Sequence, residues 1–174
     1  GYSKPLIDAN RLTVAGLLKQ NGYTTAALGK WHLGMDISEN PRVTKIGEGP
    51  TTRGFDYFFG IAASLDMPPF AFIENDHFTE APTAVKTFKF KGAAAPHFEA
   101  EDVVPTLVKK TKEFVTQTKA PFFLYLALPS PHTPLVPTKA WQGKSGLGEY
   151  GDYVMETDWA VGQVLDILDQ SGAG

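Results

Sequence analysis

The segment Pro121-Phe-Phe-Leu-Tyr-Leu-Ala-Leu128 is continuously apolar and has the length of a β-strand. Such a run predicts a strand covered on both faces, as in a parallel sheet with helices above and below it. Helical periodicity precedes the segment at residues 102–119 and follows it at residues 150–170. An earlier helix over residues 8–21, followed by a β-compatible segment at Tyr23–Leu28, repeats the helix–strand order. The sequence therefore predicts an α/β domain with a mostly parallel central sheet flanked by helices.

Local patterns also predict where the chain turns and which helix faces are buried. Asp8 is the expected N-cap of the first helix, and Asn75-Asp76 is the expected turn of a hairpin within Phe70–Phe78. Val85–Lys91 alternates weakly and predicts an edge strand guarded by its lysines. The stripes expected to face the core are Leu12, Val14, Ala15, Leu17 and Leu18 in the first helix, Val104, Leu107, Val108, Thr111, Phe114 and Val115 in the second, and Val154, Thr157, Val161, Val164, Leu165 and Leu168 in the third.

The composition is that of a folded globular protein. The chain has 174 residues, of which 43% are apolar and 20% charged, and its net charge is −3. This length corresponds to one domain or a large part of one. The charge balance gives no broad basic face for nucleic acid or an anionic membrane. No apolar run approaches the roughly 20 residues of a membrane-spanning helix. The absence of cysteine excludes disulfides, thiolate metal ligands and a cysteine nucleophile within these residues.

Chemically versatile side chains follow both predicted strands of the parallel sheet. Gly29-Lys-Trp-His-Leu-Gly34 comes after the first strand, and Leu128-Pro-Ser-Pro-His-Thr-Pro134 comes after the second. Ligands of such sheets bind beyond the carboxyl ends of the strands, so Lys30, His32 and His132 converge on one pocket if the two strands are neighbours. On an extended chain, Lys30 and His32 point the same way. One lysine and two imidazoles suit a small tetrahedral oxyanion such as sulfate or phosphate.

The same residues are also compatible with ordinary structural roles. A Lys-x-His pair is common by chance, and a histidine in a loop is usually solvated. His32 and His132 are 100 residues apart, which sets no metal-binding geometry, and a third ligand is missing. We therefore expect no metal site within the chain.

Thirteen consecutive residues, Gly22-Tyr-Thr-Thr-Ala-Ala-Leu-Gly-Lys-Trp-His-Leu-Gly34, closely resemble the second signature of the type I sulfatases, the formylglycine-dependent sulfuric ester hydrolases. Arg53-Gly-Phe-Asp-Tyr-Phe-Phe-Gly60 resembles another motif of that family. Pro121–Pro134 resembles its buried strand and the Pro-His-Thr-Pro turn that follows, and Tyr153–Gly172 resembles the helix before its last metal-binding strand. The resemblance covers nearly the whole chain, least clearly at Ala62–Lys91. It implies the alkaline-phosphatase-like α/β fold of an arylsulfatase-like enzyme, incomplete in this chain.

The resemblance also implies roles for individual residues. Lys30 would hold the sulfate group and the formylglycine hydroxyl, and His32 would hydrogen-bond that hydroxyl and help to expel sulfate. His132 would contact the bridging oxygen and protonate the leaving alcohol. Ser64 falls where some arylsulfatases place a sulfate-contacting serine, and a simple loop hydroxyl explains it equally well. Asp66 would contact a sugar hydroxyl or, more simply, cap a turn.

Two parts of the sulfatase site fall outside the resemblance. The family's nucleophile is a formylglycine made from the Cys or Ser of a Cys/Ser-x-Pro-x-Arg motif, and no such motif occurs here. The Ca²⁺ implied by the resemblance is held by an Asp-Asp pair before that motif and an Asp-Asn pair after the last helix, which would fall before Gly1 and after Gly174. Residues 1–174 are thus expected to be the central part of a single sulfatase catalytic domain. We expect this chain alone to be inactive and the whole protein to hydrolyse sulfate esters of carbohydrates or aryl alcohols.

Two other functions stay open at this point. A phosphatase or phosphodiesterase of the same superfamily would share the fold, but such enzymes usually rely on two metals and carboxylate-rich ligand sets, which Lys30, His32 and His132 do not supply. A non-catalytic module that binds sulfated glycans is the third reading. The expected partners are a sulfated small molecule or glycan and the remaining segments of the same sulfatase, without nucleic acid or a membrane span. The lack of cysteine and of Asn-x-Ser/Thr sequons favours an exported bacterial enzyme, periplasmic or extracellular, over a lysosomal one.

Overall fold

The structure is a computed structural model that describes residues 1–40, 42–119 and 121–172, and these residues form three α-helices, two single-turn 3₁₀ helices and seven strands. The helices are α1 (Val14–Gln20), α2 (Val103–Gln117) and α3 (Glu149–Ser171). The strands are β1 (Thr24–Lys30), β2 (Tyr57–Ile61), β3 (Ile73–Glu74), β4 (His77–Phe78), β5 (Ala84–Thr87), β6 (Lys91–Ala94) and β7 (Phe122–Ala127). None of the helices within these ranges is long and apolar enough to cross a membrane.

The central sheet has five strands in the order β4-β3-β2-β1-β7. β1 runs parallel to both of its neighbours, β2 and β7, whereas β3 and β4 form an antiparallel hairpin at one end. The predicted α/β fold is therefore confirmed, and its parallel strands carry a short antiparallel extension. The hairpin turns at Asn75-Asp76 as predicted, and Asn75 adopts the left-handed conformation, at φ 54°, that tight hairpin turns require.

β7 is an edge strand in the described part of the chain and is only partly covered. Its one strand neighbour there is β1, and Tyr125 at its middle is 44% exposed. The sequence prediction is thus correct about the strand and wrong about its coverage on both faces. An apolar run indicates a buried strand, but whether both of its faces are covered depends on segments far away in sequence, which the local pattern does not report.

α1 is shorter than predicted and begins at Val14. Its N-cap is Thr13 and not Asp8, because the Thr13 Oγ1 atom accepts a hydrogen bond of 3.0 Å from the Gly16 N–H. The same hydroxyl donates to a carbonyl in the loop before β2, so a tertiary contact decides which capping residue is used. Only Ala15 of the predicted stripe is fully buried, and three of its members are exposed: Leu12, Val14 and Leu17.

α2 confirms the helix predicted at residues 102–119 and the face it buries. Five of the six predicted stripe residues are buried, together with Val103 at the start of the helix. The buried members of the stripe are Val104, Leu107, Thr111, Phe114 and Val115. Regular spacing of apolar side chains was sufficient here because this helix has one apolar face.

α3 confirms the helix predicted at residues 150–170, but it turns a different face to the core. The buried residues are Asp152, Tyr153, Glu156, Ala160 and Ile167, whereas Val154, Val161 and Leu165 of the predicted stripe are exposed. Two acidic side chains on this face accept backbone hydrogen bonds: the N–H groups of Gly143 and Ser145 donate to the two carboxylate oxygens of Asp152, and that of Thr138 donates to Oε2 of Glu156, whose Oε1 has no partner in the described residues. A count of apolar residues misses a face that is buried through hydrogen bonds.

A pair of glycines brings the three parallel strands close together near their carboxyl ends. Gly29 in β1 lies opposite Gly60 in β2 and Ala127 in β7. A Cβ atom on Gly29, whose φ is +110°, would collide with the Ala127 carbonyl oxygen, and one on Gly60 would collide with the Gly29 carbonyl oxygen. Because parallel strands end at the same edge of a sheet, the residues that follow β1, β2 and β7 share one rim.

Val85–Lys91, predicted as one edge strand, is instead the centre of a second hairpin. β5 and β6 pair antiparallel in a separate two-stranded sheet, with Thr87 opposite Lys91. The three residues between them, Phe88, Lys89 and Phe90, form the connecting loop, which we call the hairpin tip. The prediction was wrong here because apolar residues in a loop alternate with lysine in the same way as those of a strand.

Candidate active site

Lys30 is the last residue of β1 and is half-buried, and His32 lies two residues further along the rim. The chain is not extended at His32, whose φ of +59° is in the left-handed region. This conformation costs a non-glycine residue about 1–2 kcal/mol, and the His32 N–H supports it with a 3.0 Å hydrogen bond to the Ala62 carbonyl oxygen. The prediction of an extended chain from Lys30 to His32 is therefore wrong, because the chain turns where the sheet ends.

His132 belongs to the loop that follows β7, the direct parallel neighbour of β1. Pro129 and Ser130 at the start of that loop are buried, whereas His132 is exposed. The His132 Nδ1 atom lies 2.6 Å from the Thr133 carbonyl oxygen. Because a carbonyl oxygen only accepts, Nδ1 carries the hydrogen in this contact, and Nε2 remains available to a ligand.

α3 holds the start of the His132 loop in place. The Thr157 Oγ1 atom lies 2.8 Å from Ser130 Oγ and 2.7 Å from the Tyr153 carbonyl oxygen. The Thr157 hydroxyl has one hydrogen, so when it donates to Tyr153 it accepts from Ser130. A helix far along the chain therefore fixes the position of a loop whose outer end is exposed.

The charges around His32 place it in one electrostatic environment with Lys30 and His132. The pKa of His32 is lowered from its ordinary value, chiefly because partial burial disfavours the charged ring. The positive charges of Lys30 and of the Gly1 amino group lower this pKa further, His132 adds a smaller effect in the same direction, and the carboxylate of Asp66 acts in the opposite direction. His32 is therefore neutral at neutral pH.

Ser64 and Asp66 contribute to the site from below the surface. Ser64 is 2% exposed, and its Oγ atom lies 3.2 Å from His32 Nδ1. Asp66 is also buried, and its Oδ1 atom has no hydrogen-bond partner within residues 1–40, 42–119 and 121–172. The Ser64 hydroxyl thus contacts a histidine of the site, and Asp66 acts on that histidine through its charge.

The loop that carries Ser64 and Asp66 follows β2, a strand that the periodicity of the sequence did not predict. Only the family resemblance pointed to Ser64, and Asp66 was interpreted chiefly as a turn cap. The apolar run Tyr57–Ile61 was the available signal, because a third parallel strand brings the loop after it to the rim that also carries Lys30.

The described residues do not fit a bound calcium ion. In the ranges that the structure covers, no group of three or more His, Cys, Asp or Glu side chains could hold a metal, whereas Ca²⁺ takes about six to eight oxygen ligands. The sequence also lacks the motif from which formylglycine is made.

Comparison with known families identifies the scaffold. The sulfatase family model matches residues 2–174, which is almost the entire chain. The chain belongs to the sulfatase family. This membership confirms the resemblance carried by the thirteen-residue signature that ends at Gly34.

Known sulfatases resemble this sulfatase chain over nearly all of its length. An N-acetylgalactosamine-6-O-sulfatase from Bacteroides thetaiotaomicron is 30% identical, with 97% of this chain and 41% of the relative covered. Human arylsulfatase G is 29% identical, with 95% and 34% covered. A solved structure from work on glycosaminoglycan metabolism by Bacteroides thetaiotaomicron superimposes with a TM-score of 0.87 at 28% identity, covering 99% of this chain and 45% of the other. The alkaline-phosphatase-like fold is thus confirmed, and the chain spans less than half the length of these relatives.

Proposed function

We propose that residues 1–174 are the central part of one sulfatase catalytic domain, and that the complete enzyme hydrolyses sulfate esters of carbohydrates. The complete enzyme here means this chain together with the nucleophile and calcium-binding segments expected outside it. Family membership supports the reaction, and relatives named for sulfated sugars support the substrate class. The observation that carries the proposal is the parallel pairing of β1 with β7, which brings Lys30, His32 and the loop of His132 to the same edge of the sheet.

Lys30 binds the sulfate group. Its ammonium lies at the end of a buried strand, and no carboxylate in the described ranges lies within salt-bridge distance of it. A cation without a protein counterion is suited to an anionic ligand, and its attraction to sulfate is strengthened by the low dielectric of the surrounding sheet.

His32 forms a hydrogen bond within the reacting centre, and Ser64 positions it. A neutral ring has one donor and one acceptor nitrogen, and the contact with Ser64 occupies Nδ1. Nε2 is then the atom that can reach the reacting group. Because Ser64 is nearly inaccessible, we assign it this positioning role in preference to direct contact with sulfate.

His132 acts as the general acid. When its ring is protonated, the Nε2–H bond breaks as the proton moves to the bridging ester oxygen. In the same step a nucleophile supplied from outside this chain forms a bond to sulfur, and the bond between sulfur and the ester oxygen breaks. The electron pair of the broken bond stays on that oxygen, so a neutral alcohol leaves and the sulfuryl group is transferred to the nucleophile. The ring ends neutral, with Nδ1–H still bonded to the Thr133 carbonyl oxygen.

This chain alone is inactive in this proposal, because the attacking group is supplied from outside it. Formylglycine and calcium are what the family implies for the complete enzyme, and neither is assigned to a residue of this chain. We also propose that the complete enzyme is exported to the bacterial periplasm or the extracellular space, where it would encounter sulfated polysaccharides.

The proposal is tested with matched sulfate and phosphate esters. The complete enzyme should release sulfate from a sulfated monosaccharide and from nitrophenyl sulfate, and it should turn over nitrophenyl phosphate much more slowly. Faster turnover of the phosphate ester would show a phosphatase instead. Binding of the sulfated sugar without any turnover would show a glycan-binding module. The chain of residues 1–174 serves as the control without activity.

Ser64→Ala should lower kcat of the complete enzyme about three- to tenfold, since one hydrogen bond that orients His32 is lost. The KM for a sulfated sugar and inhibition by free sulfate should change little. Thr111→Val is the matched control, because Thr111 also has a buried hydroxyl, bonded to the Leu107 carbonyl oxygen at 2.9 Å inside α2. Weaker sulfate inhibition with an unchanged kcat would instead place Ser64 in contact with the substrate.

A further inference from the structure

The hairpin tip borders the loop that carries His132. The Lys89 ammonium donates a hydrogen bond of 3.3 Å to Thr133 Oγ1. The carbonyl oxygen of the same Thr133 accepts from His132 Nδ1. One residue therefore separates the proposed general acid from a lysine that lies 44 positions away from Thr133 along the chain.

The hairpin that presents this lysine is firmly attached to the domain. The Phe88 ring packs edge-on against the rings of Phe70, at 4.9 Å, and Phe98, at 5.9 Å between centroids. The Lys86 ammonium lies 2.6 Å from both the Phe98 carbonyl oxygen and the Glu99 carboxylate. The position of the tip is therefore set by packing, and Lys89 is not a side chain on a free loop.

The tip carries positive charge without a protein counterion. Lys86 is paired with Glu99, but neither Lys89 nor Lys91 lies within salt-bridge distance of a carboxylate in the described part of the chain. The bond from Lys89 to a neutral, exposed hydroxyl is long for a charged donor and easily exchanged for an anionic partner. Lys89 is thus a cation beside the His132 loop that is available to a ligand.

An aromatic surface lies beside this charge. Phe90 is 55% exposed, and the Lys89 ammonium lies 5.9 Å from the centre of its ring. A large apolar side chain at the tip of a hairpin gains nothing from the core, whereas the flat face of a pyranose ring can cover it. Charge and an apolar face together match a sugar with an acidic group.

We propose that the hairpin tip is a subsite for the alcohol side of the substrate, where Lys89 binds a second anionic group of the glycan and Phe90 packs against its sugar ring. This inference rests on the proposed sulfatase function. The ester oxygen lies at His132 Nε2 in that function, and the proposal has the part of the glycan attached to the leaving alcohol continue past Thr133, the residue that contacts both His132 and Lys89. The chemical class of the second group is a carboxylate or a further sulfate.

Lys89→Ala and Lys89→Glu in the complete enzyme test the charge. Three sulfated disaccharides share one sulfated sugar and differ in the second, which is a uronic acid, a second sulfated sugar or a neutral hexose. For the substrate with the preferred acidic group, Lys89→Ala should lower kcat/KM about two- to fivefold and Lys89→Glu about tenfold. The kcat/KM values for the neutral disaccharide and for nitrophenyl sulfate should change little. High salt should reduce the difference in kcat/KM between the wild type and the Lys89 variants. The acidic substrate with the larger loss identifies carboxylate or sulfate as the natural group.

Two further variants separate the subsite from general effects. Lys112→Ala removes an exposed positive charge from α2 and should leave kcat/KM unchanged for all substrates. Phe90→Ala should lower kcat/KM for all three disaccharides and leave kcat/KM for nitrophenyl sulfate unchanged. Equal losses for neutral and acidic disaccharides in the Lys89 variants would overturn the assignment of the anionic group.

Binding of the acidic disaccharides to the complete protein, measured by calorimetry, keeps the two proposals apart. If the wild type turns over no sulfate ester, the proposed function fails, but weaker binding of an acidic disaccharide to Lys89→Glu than to the wild type still supports the subsite. Equal affinity of the two proteins for both acidic disaccharides overturns the subsite whatever the activity.

Discussion

Replacing His132 with alanine in the complete enzyme should lower kcat for a sulfated sugar about 10²- to 10⁴-fold, the range of a lost general acid. The loss should be far smaller for nitrophenyl sulfate. A sugar alkoxide is a poor leaving group and needs the proton from Nε2, whereas nitrophenolate leaves readily without one. Initial rates for both substrates, measured with the same enzyme preparation, give the comparison.

The control for His132→Ala is His97→Ala. His97 is also an exposed histidine, but it is paired with Glu80 at 2.7 Å and follows β6 of the two-stranded sheet, not a strand of the central sheet. Its replacement should leave both rates within about twofold of the wild type, as is usual for exposed positions. If His132→Ala reduces turnover of the two sulfate esters by the same factor, His132 does not protonate the leaving group.

Lys30→Met should weaken inhibition of the complete enzyme by free sulfate about 10- to 100-fold, because a charge-assisted contact in a partly buried site is lost while most of the side-chain volume stays. The kcat/KM for sulfate esters should fall at least as much, since the same charge stabilises the transition state. Inhibition constants for sodium sulfate are measured beside those for Lys112→Met, an exposed lysine on α2 whose loss should have no effect. Unchanged inhibition by sulfate in Lys30→Met would contradict the assigned contact.

The same variant should raise the pKa of His32. The positive charge of Lys30 is one of the causes that hold this pKa below its ordinary value, so removing that charge moves the pKa upward. Burial is the larger cause and persists in the variant, so the pKa of His32 should return only part of the way to its ordinary value. NMR titration of the His32 ring measures the shift independently of activity. A pKa that stays unchanged would show that Lys30 and His32 do not share a site.

Several elements were predictable because their signal lies within a few turns or strand lengths of sequence. The apolar run of β7, the stripe of α2 and the turn at Asn75-Asp76 all depend on residues close together in the chain. The N-cap of α1 and the buried face of α3 were predicted wrongly, because Thr13 also bonds a distant carbonyl and Glu156 accepts a hydrogen bond from the distant Thr138 N–H group. In both cases the deciding partner lies outside the segment.

The candidate site likewise has some features that the sequence predicted and others that only tertiary contacts decide. The residues after β1 and β7 were singled out from sequence, since strand ends are where α/β domains bind ligands. The left-handed turn at His32 and its contact with Ser64 were not foreseen, because the first depends on pairing with the Ala62 carbonyl and the second on the unpredicted strand β2.

Local pattern and the thirteen-residue signature were thus sufficient for the α/β class, the sulfatase family and the identity of the three candidate chemical groups, because residue type and period are properties of neighbours in the chain. Only the folded protein decided that β1 and β7 are adjacent, that Ser64 meets His32, and that Lys89 reaches Thr133. Each of these contacts joins residues more than 30 positions apart, and such a contact forms only when the packing of the whole sheet overcomes the chain entropy of closing the loop between them.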